Sequence, residues 1–547
     1  MKHGIARKTL LSLFLGSIFF LPDVLYAFVD PRFPLCVNPE KFLLVFLLGV
    51  LISLSESKKT VYAALFVFGF MNLVQFCCMA YFGTYLSPFA LAAAFKDSGD
   101  VALEVGHMFS RLWYLTLIVG VPYGVYAYVV HKSANRFCFK FGGALTVLFF
   151  AAFVVRANTP SGAHQMLFKR TCYASFNTMN AFTGYFGNIL PRALIKNDAG
   201  QSMYKPYKVT KTQTFDKPFT VFVVYGESVN RHHMSLFGYE RDTTPLLKKR
   251  LETDKNFAAH EAYSAAVNTL ISIPTFLHLQ REPDNYKKQV EADSYLPRLA
   301  QENGFHTVYI GFQGESVRQK SALSHIDDYY VYEAGVKPDE EAYFKDAVSQ
   351  IDFTKPTFVF LNKRNLHTPF IDNYRNARGD FAKWRTQNVD DDAYRVNSYD
   401  NAMLYEDYLL TMMIDWLRDN VKTPVYFYFI GDHGEAFGET SAEYKTGLHG
   451  HGALLWSIYH VPFLFDGINA PQNDPHVADV KAAFKPTAYE VGLLIAKRLG
   501  YAVENPNLTG DVYYVNGMDL MGRAGYVELK KDRAAGTVSE SVILKTP

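Results

Sequence analysis

The chain has 547 residues, with 55 Lys and Arg against 53 Asp and Glu, a formal net charge of +2. That balance excludes the strongly basic domain of a nucleic-acid binder, and an aromatic content of 16% excludes a disordered chain, since it supplies ample apolar surface to bury. A mean hydropathy of -0.04 would suit a soluble protein, but it averages two unlike parts.

Residues 1–157 are apolar and sparsely charged. Five candidate membrane spans occur there. Thr9–Val29 is apolar apart from Asp23, and Phe42–Ser55 is uncharged but short. Thr60–Leu86 and Leu112–Val130 are long and uncharged, and Phe141–Val155 is short again, with Lys140 placed to snorkel. A lone helix needs about 20 apolar residues to cross the hydrocarbon, so the third and fourth spans qualify outright and neighbours would support the shorter ones. The start MKHGIARK, with Leu25-Tyr26-Ala27 as a cleavage site, also fits a signal peptide. The length of the apolar stretch and the spans that follow argue for a retained helix.

Loop charges orient these spans. Lys2, Arg7 and Lys8, then Lys58 and Lys59, then Lys132, Arg136 and Lys140 fall on one side. Asp30, Glu40, Asp97, Asp100 and Glu104 dominate the other. The N-terminus is therefore expected in the cytoplasm, and everything beyond about residue 157 outside, which in a bacterium is the periplasm. Cys36, Cys77, Cys78 and Cys138 belong to the membrane part and only Cys172 to the exported part, so no disulfide can form within the latter.

Residues 158–215 read as a linker. Phe168, Tyr173, Phe176, Phe182, Tyr185 and Phe186 mix there with Lys169, Arg170 and Arg192, which suits helices lying at the membrane interface. From residue 216 to 547 the pattern changes again. Continuous apolar, β-branched and aromatic runs at Phe219–Tyr225, His306–Ile310, Thr357–Leu361, Pro424–Ile430 and Val461–Phe465 read as buried strands. Helical patterns lie between them, at Thr244–Thr253, Tyr295–Asn303, Glu340–Ile351 and around Asn397–Asp419. The alternation predicts an α/β domain with a largely parallel sheet, whose site gathers beyond the carboxyl ends of the strands.

Two strands end in chemistry. Phe219–Tyr225 runs into Gly226-Glu227-Ser228, and Pro424–Ile430 runs into Gly431-Asp432-His433-Gly434-Glu435. Oxygen and nitrogen ligands of this kind suit zinc or, less well, manganese. A transferase needs a nucleophile, and a metal activates a hydroxyl by favouring its ionised form. Ser228 and Thr269, the latter in Asn268-Thr269-Leu270-Ile271-Ser272-Ile273-Pro274, are both candidates, and spacing does not choose between them. His367, His449 and His451 stand in polar, Gly/Pro-rich contexts and are candidates for phosphate or for a second metal.

These motifs resemble those of the phosphoethanolamine transferases of Gram-negative inner membranes, in the alkaline phosphatase/sulfatase superfamily. The resemblance covers nearly the whole chain. GESVNRHHMSLFGYERDTTP, NTLISIP, HTPFIDNY, NSYDNAMLYEDYLL and GDHGEAFGE with the following LHG match the family's segments in order. The resemblance implies a multi-pass inner-membrane protein, with a helical membrane domain of about five transmembrane helices and a sulfatase-like periplasmic α/β domain. It implies a zinc site of Glu227, Thr269, Asp432 and His433, with Thr269 as the nucleophile. His367 and His449 would line the phosphate or bind a second zinc. An insertion around Thr440–Thr446 brings His451 forward as an alternative to His449.

The implied reaction moves phosphoethanolamine from phosphatidylethanolamine, a membrane lipid, to lipopolysaccharide through a covalent intermediate on the threonine. The acceptor would be an inner-core sugar or lipid A. Members acting on lipid A typically carry several disulfides in this domain, so the single exported cysteine favours a core sugar, Kdo or heptose. A phosphoglycerol transferase or a sulfatase/phosphatase of the same superfamily is the alternative, although no C/S-x-P-x-R signature surrounds Thr269. A non-enzymatic transporter or membrane scaffold is more distant, because the convergent polar residues all lie outside the apolar spans.

Overall fold

The computed structural model describes residues 2–96, 112–133, 136–159, 166, 170–191, 204–283, 285, 288–289, 292–314, 323–331, 339–375, 377, 379–441, 447–519 and 524–544. The chain divides into two compact units. The first comprises residues 1–198, 438–449 and 545–547, and the second comprises 199–437 and 450–544.

The first unit is helical: α1 (Lys2–Val29), α2 (Pro39–Ser53), α3 (Lys58–Phe82), α4 (Pro88–Lys96), α5 (Tyr114–Lys132), α6 (Gly142–Ala157) and α7 (Ala174–Gly184). Among the described residues three helices are long and apolar enough to cross a membrane: Ile5–Val29 within α1, α3 and α5. The expected count of about five spans is thereby corrected to about three. Phe42–Ser55 and Phe141–Val155 do become helical, but α2 and α6 have only 15 and 16 residues. At ~1.5 Å per residue such helices fall short of the ~30 Å hydrocarbon layer. Helix α3 stops before Leu86 because Gly83 adopts φ +67°, a left-handed cap whose N–H bonds the Met79 carbonyl.

The charge in the first span has partners. Asp23 is buried and accepts hydrogen bonds from the Ser175 backbone N–H, at 3.1 Å, and from the Ser175 hydroxyl. Asn72 donates to Tyr123 and to Ser175 at 2.8 and 2.9 Å, and Thr178 donates to Asn72 at 2.6 Å. Polar groups in an apolar bundle persist when satisfied in this way. Cys36 and Cys172 form a disulfide across 136 residues of sequence. Assigning those two cysteines to separate domains hid this pairing. Much of the linker motif, including Lys169 and Arg192, lies outside the described residues, but α7 is buried along its whole length in the helical unit.

The second unit is built on a seven-stranded sheet. Its strands are β2 (Thr220–Gly226), β3 (Phe257–Tyr263), β4 (His306–Gly311), β5 (Asp328–Val331), β6 (Thr357–Asn362), β7 (Val425–Gly431) and β10 (His460–Ile468), in the order β3-β10-β7-β2-β6-β4-β5. Strands β7, β2, β6, β4 and β5 run parallel, while β10 pairs antiparallel with both β7 and β3. Strands β2, β6 and β7 are buried at every position, as continuous apolar runs require when helices cover both faces.

Helices α8 (Pro245–Thr253), α9 (Thr269–Leu277), α10 (Leu296–Glu302), α11 (Glu340–Ser349), α12 (Asp391–Asn420) and α13 (Ala488–Arg498) belong to this unit. The 30-residue α12 supplies Tyr399, Met403, Leu410, Met413 and Leu417 to the same core as Phe222, Val359 and Phe427. The tail beyond residue 523 contributes β13 (Tyr526–Asp532) and β14 (Thr537–Ile543), which form a three-stranded antiparallel sheet with β12 (Val512–Asn516), and the short strands outside these sheets are β1 (Lys208–Lys211), β8 (Ala436–Glu439), β9 (Leu448–Gly450) and β11 (Tyr501–Glu504).

Candidate active site

The site starts from strand register. Parallel neighbours β2 and β7 pair Gly226 with Gly431, so the next residues, Glu227 and Asp432, emerge side by side at one sheet edge. The Asp432 N–H donates to the Gly226 carbonyl at 2.8 Å. Gly226 leaves room for this crossing, because a Cβ there would stand 2.6 Å from the Phe429 ring.

Thr269 arrives from another direction, as the first residue of α9. The preceding Asn268 caps that helix by accepting from the Leu270 N–H at 3.1 Å. A helix N-terminus carries positive potential that favours developing negative charge. Ser272, one turn on, donates to the Asp432 carbonyl at 2.7 Å and meets the Tyr225 hydroxyl at 2.7 Å. The TLIS segment is thus locked to the ends of both β2 and β7.

The Thr269 hydroxyl oxygen lies 2.7 Å from Asp432 Oδ2, 3.0 Å from Glu227 Oε2 and 3.1 Å from His433 Nε2. Each neighbour is held by its unused atoms. Asp432 Oδ1 accepts from the backbone N–H groups of Ser228 and His433, at 3.0 and 2.6 Å. Glu227 Oε1 accepts from the Ser228 hydroxyl at 2.8 Å. His433 Nδ1 lies 2.9 Å from the Gly434 carbonyl. A carbonyl only accepts, so Nδ1 carries the proton and Nε2 turns its lone pair toward Thr269.

All four residues are buried, with Thr269 9% exposed and Asp432 and His433 fully enclosed. Burial opposes charge here. It acts first on Asp432, and the neighbouring Glu227 carboxylate adds to it, so Asp432 is held well above the usual carboxylate range. Burial also works against ionised Glu227, but His433, His367, His451 and the Ser228 hydroxyl outweigh it and bring Glu227 down to about 2. His433 is pushed down to about 3 by burial and then by His451, so it is neutral at physiological pH. Two enclosed carboxylates and a neutral imidazole, whose ligand atoms all lie within 4.8 Å of one another, fit a divalent cation that would balance their charge.

The remaining histidines divide. The His451 ring sits 4.5 Å from that of His433, and its Nδ1 lies 3.2 Å from Glu435 Oε2. His367 is near enough to influence both Glu227 and His433, and its Nδ1 bonds the Thr368 carbonyl at 2.6 Å. His449 belongs to the 438–449 segment of the helical unit, beside Gly83. The adjoining insertion, residues 442–446, lies outside the described residues. Of the two hydroxyl candidates, that of Ser228 donates to Glu227, while that of Thr269 faces Glu227, Asp432 and His433 together.

Sequence reasoning missed two supports. Tyr399, within the YDN motif of α12, donates to the Ser228 carbonyl and accepts from the Asn230 N–H. Gln313, just beyond β4, donates to Glu227 Oε2 at 2.5 Å. Its only sequence signal is its position after a buried strand at the same sheet edge.

Residues 219–483 match the Sulfatase family model. The Kdo(2)-lipid A phosphoethanolamine 7''-transferase of Escherichia coli K12 is 26% identical over 262 residues, 45% of this chain and 43% of that protein. Phosphoethanolamine transferase EptA of Helicobacter pylori is 25% identical over 430 residues, 75% of this chain and 76% of that protein. The chain thus spans less than half the length of the first of these relatives but about three quarters of the second. The solved structure of the integral membrane lipooligosaccharide phosphoethanolamine transferase A from Neisseria meningitidis superposes with a TM-score of 0.59 at 14% identity, covering 90% of this chain and 96% of that one. That likeness establishes a common fold: membrane-capable helices followed by a sulfatase-like domain.

Proposed function

We propose that this chain is a phosphoethanolamine transferase of a bacterial inner membrane. It takes the headgroup from phosphatidylethanolamine and passes it to lipopolysaccharide, through a covalent intermediate on Thr269. The observation that carries this reading is the convergence of Glu227, Asp432 and His433 on the Thr269 hydroxyl, each within 3.1 Å. Two curated relatives with this activity in their names support the substrate class.

Glu227, Thr269, Asp432 and His433 would hold a zinc ion, whose positive charge stabilises the ionised hydroxyl and the transferring phosphoryl group. The chain's own residues do the rest. The Thr269 hydroxyl is oriented by Asp432 Oδ2, to which it donates at 2.7 Å, and the proton it gives up is the one the departing alcohol takes. The Thr269 Oγ–P bond forms as the bond from phosphorus to the diacylglycerol oxygen breaks, and diacylglycerol leaves as the protonated alcohol. An acceptor hydroxyl or phosphate then attacks phosphorus, the Thr269 Oγ–P bond breaks, and Thr269 regains a proton. The N-terminus of α9 favours negative charge on the phosphoryl oxygens throughout. His367 and His451 serve the phosphoryl group or a second metal.

The helical unit tethers the chain to the membrane in which the donor lipid resides. A cytoplasmic N-terminus followed by crossings of α1, α3 and α5 puts the catalytic unit in the periplasm, and the Cys36–Cys172 disulfide fits an oxidising compartment for both cysteines. The acceptor is an inner-core sugar or lipid A.

The test uses the full chain in detergent with zinc, lipopolysaccharide and phosphatidylethanolamine labelled in its ethanolamine. Label should move to lipopolysaccharide as diacylglycerol accumulates in equal amount. Release of label only as free phosphoethanolamine would make the chain a hydrolase, and use of phosphatidylglycerol alone would make it a phosphoglycerol transferase.

A further inference from the structure

Gln313 lies two residues beyond the end of β4, on the sheet edge that carries Glu227 and Asp432. Its side-chain nitrogen is 2.5 Å from Glu227 Oε2 and 2.7 Å from the Lys363 carbonyl. A carboxylate and a carbonyl are both acceptors, so the atom facing them is the NH2 group, and its two hydrogens are both used.

The Lys363 end of this bridge is fixed. Lys363 follows β6 directly, and its N–H donates to the Tyr225 carbonyl at 2.9 Å. Its buried ammonium sits 3.0 Å from Glu340 and 3.2 Å from Glu406. The Phe312 N–H, next to Gln313, donates to the Asn362 carbonyl at 3.0 Å. The ends of β2, β4 and β6 are therefore joined through one amide. At Glu227 the two oxygens have separate holders, Ser228 on Oε1 and Gln313 on Oε2.

We infer that Gln313 is a positioning residue for the metal site, which fixes the rotation of the Glu227 carboxylate so that the free lone pairs face the cation. With both N–H groups committed to protein acceptors, Gln313 acts through Glu227. The inference rests on the metal reading above. A metal ligand that is free to rotate must be ordered when the cation binds, and loss of such an outer partner typically weakens metal affinity 10–100-fold.

Zinc affinity of the full chain in detergent, measured by competition with a chromogenic chelator, tests this for wild type, Gln313→Met and Gln313→Ala. Methionine keeps the volume of glutamine and removes both donors, and alanine removes the side chain. The expected result is a zinc dissociation constant raised at least 10-fold in both variants, with the thermal midpoint of the zinc-free protein within a degree or two of wild type. Wild-type affinity in both variants would overturn the inference while leaving the metal reading standing. A lowered midpoint in both zinc-free variants with unchanged affinity would also overturn it, by making Gln313 a structural residue only. Failure of the wild-type chain itself to bind zinc would sink the metal reading, and this inference with it.

Discussion

Tyr399 donates its hydroxyl hydrogen to the Ser228 carbonyl at 2.6 Å and accepts from the Asn230 N–H at 2.8 Å. The tyrosine is fully buried in α12, so one side chain clamps the Ser228–Asn230 turn that follows Glu227. Ser228 takes a left-handed φ of +52°, a conformation that needs such support in a residue other than glycine. Tyr399→Phe leaves a buried carbonyl and a buried N–H without this partner, at a cost of about 1–3 kcal/mol each. The variant should unfold at a lower temperature and transfer more slowly. An unchanged thermal midpoint would remove the clamp from the account.

Metal removal has a signed consequence. Without a cation the enclosed Glu227 and Asp432 carboxyls oppose each other, and burial adds to the penalty. Zinc should therefore raise the thermal midpoint of the wild-type chain, because a ligand that binds only the folded state stabilises it. Asp432→Asn should lose this zinc response and all transfer, yet its zinc-free form should melt above zinc-free wild type. A lower midpoint for the zinc-free variant would show that Asp432 supports the fold more than it strains it.

A pH effect is expected away from the site. Asp407 of α12 accepts the Leu246 and Leu247 N–H groups at the start of α8, at 2.8 and 2.9 Å. Burial, with Asp242 and Glu406 adding to it, raises its carboxyl from 3.8 to about 7. A raised acid stabilises the fold in its protonated form, so this contribution is complete below about pH 3.8 and is lost as the pH climbs through about 7. Its ceiling is ~4 kcal/mol, from ~1.4 kcal/mol per pH unit. Trp384, Trp416 and Trp456 all lie in the catalytic unit and report its melting. The drop in midpoint between pH 5.5 and 8.5 should be smaller in Asp407→Asn than in wild type, and equal drops would contradict the assignment.

Much of the catalytic unit was legible because buried strands announce themselves. FTVFVVY, TFVFL and PVYFYFI have no polar face, and the structure places each within a residue of its expected bounds. Strand β3, FAAHEAY, was not foreseen, since His260 and Glu261 interrupt its apolar pattern and it pairs antiparallel at the sheet edge. Glu227, Asp432 and His433 were legible because a parallel sheet collects chemistry beyond its strand ends. Spacing left Thr269 and Ser228 open and the family resemblance favoured Thr269; that the α9 N-terminus lies beside Glu227 across 42 residues of sequence is visible only in three dimensions. Gln313 and the clamp at Tyr399 were hidden for the same reason: a hydrogen bond between distant segments leaves no periodicity. The membrane count failed on length, since apolar character marked α2 and α6 correctly as helices but could not give them the residues to span.

The central claim is that the Thr269 oxygen carries the headgroup between donor and acceptor. Mass spectrometry of the Thr269 peptide, after the zinc-loaded chain meets phosphatidylethanolamine without acceptor, tests it directly. Phosphoethanolamine should be found bonded to Thr269 in wild type, and neither adduct nor transfer should occur in a folded Thr269→Ala variant. An adduct on Ser228, or undiminished transfer by Thr269→Ala, would contradict the claim.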